Sequence, residues 1–160
     1  MLTRAWKYLL PLLLVPPALY PVDVLEVRAV RSDQILLARR VRGGESFRFS
    51  YVHSVEKIPV QGSFVVTERG GLRPLETRFP SFGPGLPFAA GEVLREGREM
   101  TASDLGPELD RLSFLVSPST SQTLSFKDSR VSFAGLTEGE RVTVQVAPYP
   151  LWRILVRHES

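Results

Sequence analysis

The sequence predicts an all-β domain, an antiparallel β-sandwich or partly closed barrel of about nine strands, behind an N-terminal hydrophobic anchor or signal segment. Three observations lead there. Beyond residue 22 apolar residues recur with a period of two, glycine- and charge-rich turn signals separate the runs at short spacing, and no sustained helical period intervenes. Parallel strands need long crossovers, so neighbouring strands are expected to be antiparallel. Two apposed sheets or a barrel then cover their apolar faces.

The first element is an address. Tyr8 to Val22 carries no charge for 15 residues, follows Arg4 and Lys7, and meets its first acids at Asp23 and Glu26. A membrane helix is comfortable at about 20 apolar residues, and Pro11, Pro16, Pro17 and Pro21 work against a long regular helix, which favours a cleaved export signal. Cleavage prefers small residues at two specificity positions, and Tyr20 or Pro16 stands there for cuts near Ala18 and Pro21. That favours an uncleaved anchor, with Lys7 snorkelling and Trp6 and Tyr20 at the two interfaces. In both cases the positive-inside rule puts the remainder outside the cytoplasm. Residues 1–22 are read as signal or membrane anchor and 23–160 as one extracytoplasmic β-sandwich domain, the size of a single core.

The strands follow in order. Leu25, Val27 and Ala29 alternate with Glu26, Arg28 and Val30; Phe47, Phe49 and Tyr51 alternate with Arg48 and Ser50; Val142, Val144 and Val146 alternate with Thr143 and Gln145. Weaker alternation marks Gln34 to Val41, Ser63 to Glu68, Leu72 to Phe79, Leu112 to Val116, Thr123 to Phe126, Arg130 to Phe133 and Leu151 to Val156. Turns are expected at Arg42-Gly43-Gly44, Arg69-Gly70-Gly71, Lys127-Asp128-Ser129 and Glu138-Gly139-Glu140. From Pro80 to about Asp110 the rhythm stops, which marks a functional connection or a misassigned element. Within it Ser103 to Leu109 reads as a short helical turn, with Ser103 or Asp104 as its cap and Pro107 near its start.

Composition removes several function classes. Disorder is inconsistent with 43% hydrophobic and 23% charged residues. The absence of cysteine removes disulfides, thiolate metal sites and a cysteine nucleophile. The formal charge of +3 comes largely from Arg4 and Lys7; from Asp23 onward 18 basic residues are interspersed with 17 acidic ones, which is no footprint for nucleic acid. Seventeen arginines against three lysines, with no asparagine, fit a GC-rich or thermophile source.

Of two histidines, His158 is next to the carboxyl end and His53 stands in Tyr51-Val52-His53-Ser54-Val55-Glu56. His53 and Ser54 are no catalytic pair, because adjacent strand residues point to opposite faces and the nucleophile elbow is missing. His53 and Glu56 are too few for a metal. Neither catalytic residue, metal nor cofactor is assigned, and the protein is not read as an enzyme. Period two places His53 on the face of Phe47, Phe49 and Tyr51, at a strand end. There it is either a hydrogen-bonded structural residue or part of a rim cluster with Ser54, Glu56 and Gln61 around the bend at Ile58-Pro59. Phe82, Gly83 and Gly85, in Phe82-Gly83-Pro84-Gly85-Leu86-Pro87, form either a rigid turn or backbone open to close approach by a partner or ligand.

With these segments in view, the chain resembles the family called domain of unknown function 1850. The resemblance covers most of residues 23 to 156 and rests on His53-Ser54-Val55-Glu56 and on Gly83-Pro84-Gly85-Leu86-Pro87. Val60, Gln61 and Gly62 stand where such proteins commonly carry an aromatic and an acid. The resemblance implies an uncharacterised, transport-associated protein. Its relatives are often encoded beside the fused permease and solute-binding protein of TAXI-type tripartite ATP-independent periplasmic transporters. The expectation is therefore a non-enzymatic, membrane-tethered accessory protein at the extracytoplasmic face of the cell envelope. Its partner would be that permease or solute-binding protein, reached through the rim of His53 and residues 80–87. The rival expectation is an extracytoplasmic module that binds a small organic anion, with Arg48, Arg78 or Lys57 as counter-charges.

Overall fold

A computed structural model of the chain describes residues 20–80, 92–96, 99–103 and 106–155. The strands are β1 (Pro21–Ala29), β2 (Gln34–Arg40), β3 (Ser46–Val52), β4 (Pro59–Val66), β5 (Leu72–Phe79), β6 (Glu92–Glu96), β7 (Glu99–Ser103), β8 (Arg111–Leu115), β9 (Thr123–Ser125), β10 (Arg130–Ser132) and β11 (Arg141–Pro150). A helix, α1 (Leu151–Leu155), follows β11 directly. Pairing is antiparallel throughout, in a four-stranded sheet of order β2-β1-β11-β8 and a seven-stranded sheet of order β10-β9-β3-β4-β5-β7-β6. This is a two-sheet, sandwich-like architecture, and neither sheet closes into a barrel.

The alternation seen in sequence becomes the inner faces. Leu25 and Val27 of β1 pair with Val146 and Val144 of β11, and together with Val142 they meet Phe47, Leu72 and Leu124 of the large sheet in one buried cluster. Each such side chain contributes about 1.5–3 kcal/mol by leaving water. Phe49 of the large sheet lies 4.5 Å, centroid to centroid, from Phe114 of the small one, and Phe114 meets Phe133 edge-on at 5.1 Å. A second cluster, Val60, Phe79, Met100 and Ala102 with Tyr51, contains no residue of the small sheet.

β1 is buried on both faces. Val24 and Glu26 point away from the core yet are 0% and 3% exposed, because Tyr149 and α1, which touches β11 and β2, cover that side. Glu26 accepts bonds from Arg28 (Nε, 2.8 Å) and from the Tyr149 hydroxyl, so its buried charge is partnered twice. The Arg28 guanidinium holds the Glu26 carboxyl below the usual carboxylate range, against the opposing effect of burial. Burial pushes the Tyr149 hydroxyl up, helped by its bond to Glu26.

Two expectations need correction, and of the two readings of the interval from Pro80 to Asp110 the misassigned element holds. Leu151 to Val156 is not a strand, since Leu151 to Leu155 is helical; Pro150 donates no backbone hydrogen bond, and Leu151, Ile154 and Leu155 also fit a helical spacing. The interval from Pro80 to Asp110 contains the hairpin β6–β7 at the edge of the large sheet. Its charged Glu-Val-Leu-Arg-Glu sequence suits an edge strand and masks the alternation. The helical turn at Ser103 to Leu109 is not formed by its described ends: Ser103 closes β7, and Leu109 exchanges both backbone bonds with Leu72 at 2.7 and 2.8 Å.

Candidate functional site

The β3–β4 hairpin presents the segment that the sequence singles out. Strand pairing ends at Val52 and Pro59. Beyond it the His53 N–H donates to the Ile58 carbonyl (2.8 Å) and the Lys57 N–H donates to the His53 carbonyl (3.0 Å). This closure puts Lys57 in the left-handed region at φ 57°. The Glu56 N–H donates to His53 Nδ1 at 3.2 Å. That bond needs an unprotonated Nδ1, so the ring proton of a neutral His53 is on Nε2. His53 is half-buried, whereas Ser54, Val55, Glu56 and Lys57 are exposed, Val55 at 80%.

Gln61 faces away from this assembly. The two strands pair odd residues of β3 with even residues of β4, so Gln61 lies opposite Ser50 and not on the face of Tyr51. Its Nε2 donates to Ser50 Oγ at 3.3 Å. On the other flank Gln61 pairs with Arg78 of β5, giving a polar row Ser50, Gln61, Arg78 across three strands. The expected rim cluster therefore divides: His53 and Glu56 are joined in the hairpin, Ser54 lies between them, and Gln61 belongs to the row. Phe82, Gly83 and Gly85 lie outside the described residues.

That row borders a cleft of about 460 Å³ at the ends of β3, β4 and β5. Val52 and Pro59, on the same face as the row, and Pro80 supply apolar wall, while Gln61, Arg78 and Ser121 supply polar groups. Val60 and Phe79 turn their side chains to the opposite face, where each is 4% exposed in the second core cluster, and so hold the strands that floor the cleft rigid. Burial pushes the Tyr51 hydroxyl up, keeping it neutral. Arg78 Nε bonds Glu76 at 3.0 Å, and among the described residues the terminal nitrogens of this half-exposed guanidinium are left for an anion. Of the other expected counter-charges, Lys57 sits in the hairpin and Arg48 borders a separate hollow with Ser63, Glu76 and Ser125.

Sequence reasoning missed Ser50, Val52 and Pro59 as cleft residues. The available signal was the period of two itself, which sets Ser50 and Val52 on the face opposite Phe49 and Tyr51. Among the described residues no group of three His, Asp or Glu side chains could hold a metal ion. This arrangement can bind and orient a small group.

No curated protein matches the chain, and no solved structure does. Residues 47–133 match the family described as Domain of unknown function (DUF1850). That match lies within the span of the resemblance and runs from β3 past β10, taking in the hairpin and the cleft of the large sheet. With more than half of its residues inside this match, the chain belongs to the domain of unknown function 1850 family.

Proposed function

We propose that the protein is a non-enzymatic, membrane-tethered accessory protein of a TAXI-type tripartite ATP-independent periplasmic transporter, working on the extracytoplasmic side. It meets the permease or the solute-binding protein through the β3–β4 hairpin. The observation that carries this reading is Val55, an 80% exposed apolar residue at the tip of a turn held by three internal hydrogen bonds. A preordered apolar tip loses little conformational entropy on docking. The test is co-purification with the neighbouring permease in mild detergent. Val55→Asp, at a site with no packing to lose, should abolish recovery of the complex while leaving the melting temperature unchanged. Undiminished recovery would overturn the hairpin as the contact.

A second reading, a module for a small organic anion, is favoured by the cleft. Its apolar wall and the Arg78, Gln61 and Ser121 side suit a carboxylate on a short apolar body. A ligand at about 100 times its Kd should stabilise the protein by about 2.7 kcal/mol, read as a rise in melting temperature. Arg78→Gln should remove that rise. A screen of organic acids that leaves the wild-type protein unshifted would sink this reading and leave the first intact.

A further inference from the structure

We propose that the end of the body carrying α1 rests directly on the bilayer surface, with Tyr20 and Trp152 in the headgroup region beside the anchor. This rests on the uncleaved-anchor reading and adds which face of the folded domain the lipid covers.

The first observation is where the chain enters the sheet. β1 begins at Pro21, paired with Pro150 at the end of β11, and Val22 pairs with Tyr149. The Leu151 N–H, at the start of α1, donates to the Tyr20 carbonyl at 3.2 Å. The chain arriving from the anchor and the C-terminal helix therefore share one end of the molecule. No linker separates the last residue before the sheet from the sheet itself.

The second is the join itself. The uncharged run from Tyr8 to Val22 continues into β1, which begins at Pro21. No charged or polar spacer therefore stands between the apolar segment and the sheet, and a body joined to its anchor without slack is held at the membrane surface, Tyr20 with it.

The third is the chemistry found at that end. Tyr20 is 70% exposed and Trp152 is 48% exposed, and these two residue types concentrate at membrane–water interfaces. Arg153, exposed and next to Trp152 in α1, lies over the Tyr149 ring, 4.5 Å from its centroid, which keeps a cation at the same end of the molecule. The first acid, Asp23, comes one step further into β1 than Val22, and strand rise puts it about 10 Å beyond Tyr20. Amphipathic aromatics nearest the anchor, then charge, is the order expected on leaving a bilayer.

The test uses the full chain in lipid nanodiscs with Trp6→Phe, which leaves Trp152 as the sole tryptophan. Lipids brominated near the headgroup end of the acyl chain should quench Trp152 emission, its maximum should lie to the blue of exposed tryptophan, and aqueous iodide should quench it weakly. The companion Trp152→Phe chain reports Trp6 and hence the anchor. If bromolipids quench Trp6 while Trp152 answers only to iodide, the anchor stands and the resting face is wrong. If the chain washes off the membrane, both fall.

Discussion

His53 acts first on its own turn: its Nδ1 accepts the Glu56 N–H at 3.2 Å. That donor is on the exposed side of the hairpin, so water can replace the imidazole, and His53→Ala should cost only about 0.5–1.5 kcal/mol in urea unfolding. His53→Asn supplies another short acceptor for a turn N–H and should recover most of that loss. If recovery of the proposed permease complex follows stability across both variants, His53 is a structural residue. If it fails in His53→Asn at near-normal stability, the imidazole is read by a partner. The other residue under chemical tension is Glu26, 3% exposed and bonded by Arg28 and Tyr149. Its carboxyl is held below the ordinary value of 4.5, so its ionisation stabilises the fold above that pH. This contribution is lost as pH falls through the depressed folded value. Unfolding at pH 7 and pH 3 should therefore show a smaller acid loss in Glu26→Gln than in the wild type. An equal loss would remove Glu26 as a source of acid sensitivity. Candidate residues were legible singly, whereas their grouping was not. His53 and Glu56 sit three positions apart in one turn. Gln61 is close in sequence but faces away, because the length of the intervening loop sets which face a following strand presents.

Elements with strong alternation were readable because burying one face of a strand leaves a period of two in its sequence. Leu25 to Ala29, Phe47 to Tyr51 and Val142 to Val146 are such segments, inside β1, β3 and β11. β6 lacks the signal because an edge strand is protected from further pairing by its charges. α1 was misread because Leu151, Ile154 and Leu155 in a five-residue element fit more than one period; the end of pairing at Pro150 decides between them. The hairpin holds a residue whose local conformation opposes its type. Lys57 at φ 57° bears a left-handed cost of about 1–2 kcal/mol, partly offset in a glycine variant by that variant's greater freedom when unfolded. Lys57→Gly should thus stabilise the domain by about 0.5–1 kcal/mol, read as a higher urea midpoint at unchanged slope. A lower midpoint would mean that the lysine side chain contributes more than its backbone costs.

At the scale of the whole molecule the first and last strands pair with each other, β1 along its full length on β11. A chain begun at Tyr20 keeps the Pro21–Pro150 and Val22–Tyr149 pairs and the Leu151–Tyr20 bond, whereas one begun at Asp23 loses them. The longer chain should melt a few degrees higher, as about 1 kcal/mol shifts a domain of this size by roughly 2–4 °C. Equal melting temperatures would show that this end of β1 frays freely. Non-local pairing of this kind also predicts refolding in milliseconds to seconds rather than microseconds, measurable by stopped-flow fluorescence. By itself the sequence determined that this chain is an antiparallel β-protein with an apolar, basic-headed N-terminal segment, since alternation and charge placement are local properties of consecutive residues. Only the tertiary structure decided that Ser50, Gln61 and Arg78 stand in one row, that this row borders a cleft, and that Tyr20 and Trp152 share one end. Those facts depend on strand register and on the order of strands within a sheet, which arise when distant segments bury their faces together.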